Sequence, residues 1–350
     1  MTISQEIISE IARYAQMAPS GDNLQDWRLS LNGDTLELIG EFDDHPFNFN
    51  HRPSLTGYGA VLENARIASE EFGFEMIEEL FPEGANKKLI SSLRFSKSPS
   101  KNQQPLFPYL ETRAVNRGKY QKKELPPEMR KELVKTAEES GFGKLLLTEN
   151  SASKQKAAKA AFFGSQIMME HQGVHQSLFQ NIRWTQAEAE KTRDGLFIKT
   201  LELGFQEPAF RLLRSWTLTS ILNFFGLSLF AAFRDYQLSM GSSALGLIEI
   251  PDDSPQSILN GGKLFERLWL KMSSLGLSLQ PESAIVYFLH LFWEQPHHFT
   301  PSQRRVLEKG ARALKEAFPM KNEKGILMLF RLGYASKAPS TRSLRKLVEI

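Results

Sequence analysis

Residues 59–74 read GAVLENARIASEEFGF, and residues 262–277 read GKLFERLWLKMSSLGL. Laid side by side without gaps, Gly59, Glu63 and Gly73 fall on Gly262, Glu266 and Gly276. Leu62, Ile67, Phe72 and Phe74 fall on Phe265, Leu270, Leu275 and Leu277. Each window reads as a helix opened and closed by glycine, a residue that ends helices because the left-handed conformation costs it little. Two such windows in one chain fit a duplicated domain whose halves pack as the subunits of a homodimer would.

Outward from the first window, residues 4–17 carry Ile7, Ile8, Ile11, Ala12 and Ala15 at helical spacing, with Ser4 placed as N-cap. Pro19, Ser20 and Gly21 break that helix. WRLSL and TLELIGE, joined at Asn32-Gly33-Asp34, read as a hairpin. A helix covers 58–72, and the polar, proline-bearing stretch 96–108 reads as a linker. Around the second window, helices are expected over 126–139, 152–184, 255–275 and 302–317. GKLLLTE, ALGLIEI and GILMLFRLG read as strands. The chain is therefore α+β, helix-rich with short sheets. The expected halves are 1–105 and 106–350, the second with a lid-like insertion at about 205–235.

With 350 residues, 41% hydrophobic and 24% charged, the chain is globular and long enough for two domains or one large one. Its 43 basic and 40 acidic residues leave a net charge of +3, too little for a nucleic-acid protein by bulk field. The absence of cysteine excludes disulfides, thiolate metal sites and a cysteine nucleophile. The N-terminus carries Glu6 and Glu10 inside its apolar pattern and lacks a signal peptide's shape, so a cytoplasmic location is expected. Residues 215–233 carry no charge and lie between Arg214 and Arg234. A spanning helix needs about 20 predominantly apolar residues, and this stretch is interrupted by Thr217, Thr219, Ser220, Asn223, Gly226 and Ser228. It is expected to be a buried hairpin or a lid over a ligand, and membrane contact is not expected. The sharper reading is surface attachment through Trp216, Phe224, Phe225, Phe230 and Phe233.

Three segments could carry chemistry. In residues 18–27, APSGDNLQDW, short polar side chains follow a proline–glycine break and can hydrogen-bond a flat heteroaromatic edge. The plainer reading is an Asx turn entering the hairpin. Arg113 and Arg117 flank Asn116 and can fork a phosphate if the segment turns helical; the plainer reading is a solvated basic stretch. Residues 333–346 run from a strand into a Pro/Ser loop bearing Arg342 and Arg345, either an anion site or a basic tail. His171 and His175 lack a metalloprotease glutamate and a third ligand, and with His297 and His298 they read as structural; no metal is expected. Glycine-rich phosphate loops and the G-x-S-x-G elbow are absent.

Taken in order, these segments resemble the FMN-dependent nitroreductase family. APSGDNLQDWRL is similar to its A-P-S-x-x-N-x-Q-P-W-x-F signature. RAVNRGKY and the C-terminal RLGY…APSTRSLRKLV resemble segments of its duplicated, single-chain (Acg-like) branch. Leu62-Glu63-Asn64 lies close to the family's G-x-A-x-x-N helix. Asp26 replaces the signature proline, Asp22 stands where the branch often has histidine, and residues 276–281 replace an acidic–glycine pair.

The resemblance implies a nitroreductase-like fold of two related halves forming an internal pseudo-dimer, with FMN between them. It places Pro19, Ser20 and Asn23 at the flavin edge. It places Arg113, Asn116 and Arg117 on the ribityl chain and phosphate, with Arg342 and Arg345 completing the clamp. The implied activity passes hydride from NAD(P)H through FMN to a nitroaromatic, quinone or similar small-molecule acceptor. No protein acid, base or nucleophile is assigned, because the flavin carries the chemistry. The alternative is an FMN-sequestering protein with a closed lid.

Overall fold

The computed structural model describes residues 3–42, 46–98, 103–148, 150–348 and 350. Helix α1 (Gln5–Ala15) is capped by Ser4, whose side chain accepts from the Ile7 amide. Strands β1 (Trp27–Asn32) and β2 (Thr35–Gly40) form the expected hairpin, with Asn32 opposite Thr35. Trp27 and Leu29, like Leu36 and Leu38, alternate into the core as period-two geometry requires. Helix α2 (Arg52–Glu71) starts six residues earlier than expected, with a proline in its first turn. Strands β3 (Phe74–Leu80) and β4 (Leu89–Lys97) complete a four-stranded antiparallel sheet ordered β1-β2-β4-β3. Of the expected linker, residues 99–102 lie outside the described residues, and 96–97 belong to β4.

The second half opens with α3 (Pro127–Ser140) and β5 (Lys144–Leu147). The expected single helix over 152–184 is two helices, α4 (Ser151–Glu170) and α5 (Gln172–Gln180). The break falls at His171, which turns extended and accepts from the Val174 amide to cap α5. A small parallel pair, β6 (Ile182–Arg183) and β7 (Leu196–Phe197), brackets α6 (Gln186–Thr192). Helices α7 (Glu207–Leu212), α8 (Trp216–Phe224) and α9 (Leu227–Met240) follow. Then come β8 (Ala244–Glu249), α10 (Pro255–Ser274), β9 (Ser278–Pro281), α11 (Ala284–Glu294), α12 (Pro301–Ala317) and β10 (Ile326–Gly333). The second sheet is ordered β5-β8-β10-β9, all antiparallel. Its inner strands β8 and β10 are buried along their whole length, which explains their unbroken apolar runs.

Helices α2 and α10, which hold the two aligned glycine windows, pack against each other. A Cβ on Gly59 would lie 2.0 Å from the Leu259 carbonyl oxygen, and one on Gly262 would lie 2.2 Å from the Thr56 carbonyl oxygen. The aligned glycines thus sit at the closest approach of the two backbones. The aligned acids Glu63 and Glu266 are both fully buried beside this crossing. Glu63 binds Arg66 on its own helix and Arg267 on α10, each at 2.7 Å. One hydrophobic cluster includes Ile8, Leu38 and Leu62 from the first half and Leu264, Trp269 and Phe330 from the second. The core therefore runs through the expected boundary at residue 105.

Valine at position 262 should destabilise the protein by about 1–3 kcal/mol, the ordinary cost of overpacking, because backbone and not a flexible side chain occupies the space. A urea midpoint equal to that of the unsubstituted protein would contradict so close a crossing.

Candidate functional site

Between α1 and β1 the backbone turns left-handed at Asp22 (φ 47°), Asn23 (φ 58°) and Gln25 (φ 51°). Each such non-glycine residue costs on the order of 1 kcal/mol and persists only where its surroundings impose it. Here the surroundings are a set of hydrogen bonds. The Ser20 hydroxyl accepts from the Gln25 amide at 3.0 Å. Gln25 donates through Nε2 to the carbonyls of Asn23 and Arg193. Asn23 Nδ2 donates to the carbonyls of Gly195 at 3.1 Å and Leu344 at 3.0 Å, and its Oδ1 accepts from Arg345. Lys346 donates from its amide to Gln25 Oε1 and from Nζ to the Gln25 carbonyl. Residues 193–195 and the C-terminal segment thus strap the loop, and they occupy the Asn23 amide that the resemblance assigns to a flavin edge.

The loop forms one wall of a cavity of about 1370 Å³. Pro19, Ser20, Asn23, Arg113, Arg117, Arg342 and Arg345 all line it. Asn116 does not. It is buried behind the wall, donating from Nδ2 to the Lys337 carbonyl and accepting from the Gly118 amide. Helices α8 and α9 also line it, including Leu218, Leu222, Leu227 and Phe230. The segment is not the buried hairpin expected as one reading, since Phe224 and Phe225 are exposed.

The arginines form no single clamp. Arg113 donates to the Met17 carbonyl at 2.7 Å, pairs with Glu266 at 3.0 Å and lies over the Trp269 ring. Arg345 lies half-buried beside it, and desolvation together with the Arg113 charge lowers its pKa to about 9, against the pull of Glu266. Burial raises Glu266 to about 7, opposed chiefly by Arg113. Two guanidinium groups thus face one carboxylate, which leaves positive charge in excess. Glu266 Oε2 also lacks a hydrogen-bond partner. Arg117 belongs to a second group. It donates to the Thr200 carbonyl at 3.0 Å and faces Asp22, Glu282 and Glu202. Arg342 is the outermost, donating to the Glu111 carbonyl.

The two departures from the signature have partners of their own. Asp22 accepts from Asn181 Nδ2 at 3.0 Å, and Asp26 accepts from the Ser54 hydroxyl.

Sequence reasoning passed over Glu266, Glu282, Asp235 and Arg331. Arg331 is fully buried at the centre of β10 and donates to Gln280 and to the Gly118 carbonyl. Its signal was a lone charge in ILMLFRLG; for Glu266 it was alignment with Glu63. Glu282 and Asp235 line the cavity near Arg331. Of the histidines, His171 and His175 contact the carbonyls of His298 and Leu213. Among the described residues no cluster could hold a metal ion.

No family model matches the chain. It is 22% identical over 344 residues to "Uncharacterized protein MT1398" of Mycobacterium tuberculosis (strain CDC 1551 / Oshkosh), covering 96% of this chain and 47% of that protein. The chain thus spans about half the length of the curated relative it matches. Among solved structures it is similar to the FMN-dependent nitroreductase NfnB from Mycobacterium smegmatis, crystallised with NADPH. That likeness has a TM-score of 0.38 and 14% identity, and covers 69% of this chain and 94% of that one.

Burial, reinforced by Asp235 and opposed by Arg331 and Arg117, pushes Glu282 up to about 8. The folded protein keeps this proton where an unfolded chain has released it, so stability falls as pH rises from about 4.5 to about 8. Glu282→Gln should flatten that slope, raising Tm relative to the unsubstituted protein near the top of the window and not at its foot. A Tm difference that is constant across the window would refute the assignment.

Proposed function

We propose that the protein binds FMN in this cavity and works as an oxidoreductase, with NAD(P)H as donor and a nitroaromatic, quinone or similar small molecule as acceptor. The observation that carries this reading is Arg113, buried, and Arg345, half-buried, set with one carboxylate at the cavity wall. Such a pair is unfavourable alone and favourable around a dianionic phosphate, to which arginine makes strong charge-assisted bonds.

The cavity, about 1370 Å³, exceeds the ~300–1,000 Å³ of ordinary ligand pockets. It has room for a second flat molecule beside a flavin. FMN, when bound, supplies the hydride chemistry; this chain supplies position, charge and exclusion of water. Arg113 and Arg345 would hold the phosphate, and the strapped 18–26 loop would offer its backbone and the Pro19 and Ser20 side chains to the ring edge. Asn23 would act through the loop and Asn116 through the cavity wall, because both amides are engaged by protein. The meeting of the two aligned helices at Gly59 and Gly262 supports reading the halves as nitroreductase-like units in an internal pseudo-dimer. A second reading, FMN storage without turnover, is favoured by the side chains of α8 and α9 that line the cavity.

The visible spectrum of the purified protein, followed anaerobically with NADPH and then NADH, tests both. Flavin bands that bleach with either donor support the enzyme. Bands that persist but bleach with dithionite support the store. No bands after incubation with FMN would overturn both readings. Replacing Arg345 with methionine should weaken FMN binding about 10–100-fold, the worth of a charge-assisted bond. Replacing Arg117 with alanine should also lower flavin retention, and replacing the outer Arg342 should cost least. Equal effects at 342 and 345, measured by flavin fluorescence titration, would contradict this placement of the phosphate.

A further inference from the structure

Helices α8 and α9 meet at a bend of 84°, where Gly226 takes φ 92°. Together the pair is as apolar as a membrane span, but the two helices lie nearly at a right angle. Its outer surface carries Phe224 at 87% exposure and Phe225 at 78%, and Phe205 nearby in sequence is 93% exposed. Ile221, Leu229 and Phe230 extend the exposed set. Monomeric soluble proteins rarely leave so many large apolar side chains in water on one segment.

Among the described residues, the charges around this face leave one arginine, Arg214, without a carboxylate partner. Residues 215–233 carry no charge; Arg211 and Arg214 precede them and Arg234 follows. The acids of the segment are already engaged. Glu207 pairs with Lys199 at 2.7 Å and Arg211 at 2.9 Å, and Asp235 accepts from the Ser165 hydroxyl at 2.7 Å and pairs with Arg234 at 3.6 Å. Arg214 is exposed, and its guanidinium lies 5.9 Å from the Trp184 ring centre.

We propose that the face formed by residues 205–234 docks on an anionic lipid surface. Exposed phenylalanines at the vertex of the bent helix pair enter the acyl boundary, while the exposed Arg214 at its start stays at the headgroups. The fit to lipid is one of charge and shape: an arginine without a carboxylate partner at the start, an uncharged aromatic tip, and a bend near a right angle. Leu212 and Phe230 are exposed and also line the cavity, so docking turns the cavity's apolar wall toward the bilayer. The inference stands on the surface alone and does not depend on FMN.

The test is flotation of the full chain with vesicles of phosphatidylcholine, alone or mixed with phosphatidylglycerol. The protein should float with the mixed vesicles, less so as salt rises. The double substitution F224S/F225S should cut binding about tenfold or more, and R214E should weaken binding to mixed vesicles only. Phe224 and Phe225 lie outside the core clusters and the cavity lining, so circular dichroism should be unchanged. F205S supplies an independent variant with the same expected direction. Absence of flotation with either vesicle overturns the proposal, as does binding indifferent to these aromatic substitutions. An aromatic-dependent dimer in light scattering, without flotation, would instead assign the face to a second copy of this chain.

Discussion

Two backbones touch where α2 crosses α10, and they can do so only because neither Gly59 nor Gly262 has a side chain. That approach sets the distance between the halves, and much else follows from it. It buries Glu63 and Glu266 beside the crossing, where each carboxylate needs a cation. Glu63 finds Arg66 and Arg267; Glu266 finds Arg113, which the chain brings in from beyond β4. A structural requirement of the helix pair thus places a guanidinium at the cavity wall.

The cavity's electrostatics divide into two ends. Near the crossing, Arg113 and Arg345 outnumber Glu266, and burial brings the Arg345 pKa down to about 9. Around Arg117 and Arg331 the acids accumulate instead, with burial raising both Glu282 and Asp235. Poor solvation makes each uncompensated charge costly, so proton uptake and ligand binding become the available ways to relieve it. The first end suits an anion; the second keeps the Glu282 proton in place near neutral pH.

Much of the fold was legible because its signals are local. Asn32-Gly33 gives the hairpin, and the apolar runs of β8 and β10 mark the middle of a sheet covered on both sides. Strands β3 and β4 were not assigned: with Glu75, Glu78, Ser92 and Ser96 among their residues, they show no clear apolar face. The start of α2 was not assigned, although Pro53 sits in its first turn and Gly57 packs against the Trp27 ring. The site's arginines could be named from motifs, but their partners lie far off in sequence. Neither the bond from Arg345 to Asn23 nor the pairing of Arg113 with Glu266 has any local signature. Whether 215–233 faces in or out likewise depends on what covers it, which periodicity does not reveal.

The strap across the 18–26 loop joins residues near one end of the sequence to residues near the other. Asn23 is held by Leu344 and Arg345, and Gln25 by Lys346. On the ribosome the loop therefore emerges well before residues 344–346. During that interval only nearer bonds, such as that from the Gln25 amide to the Ser20 hydroxyl, support its left-handed conformation. The cavity wall is completed only after residues 344–346 leave the exit tunnel, so ligand capture waits for them.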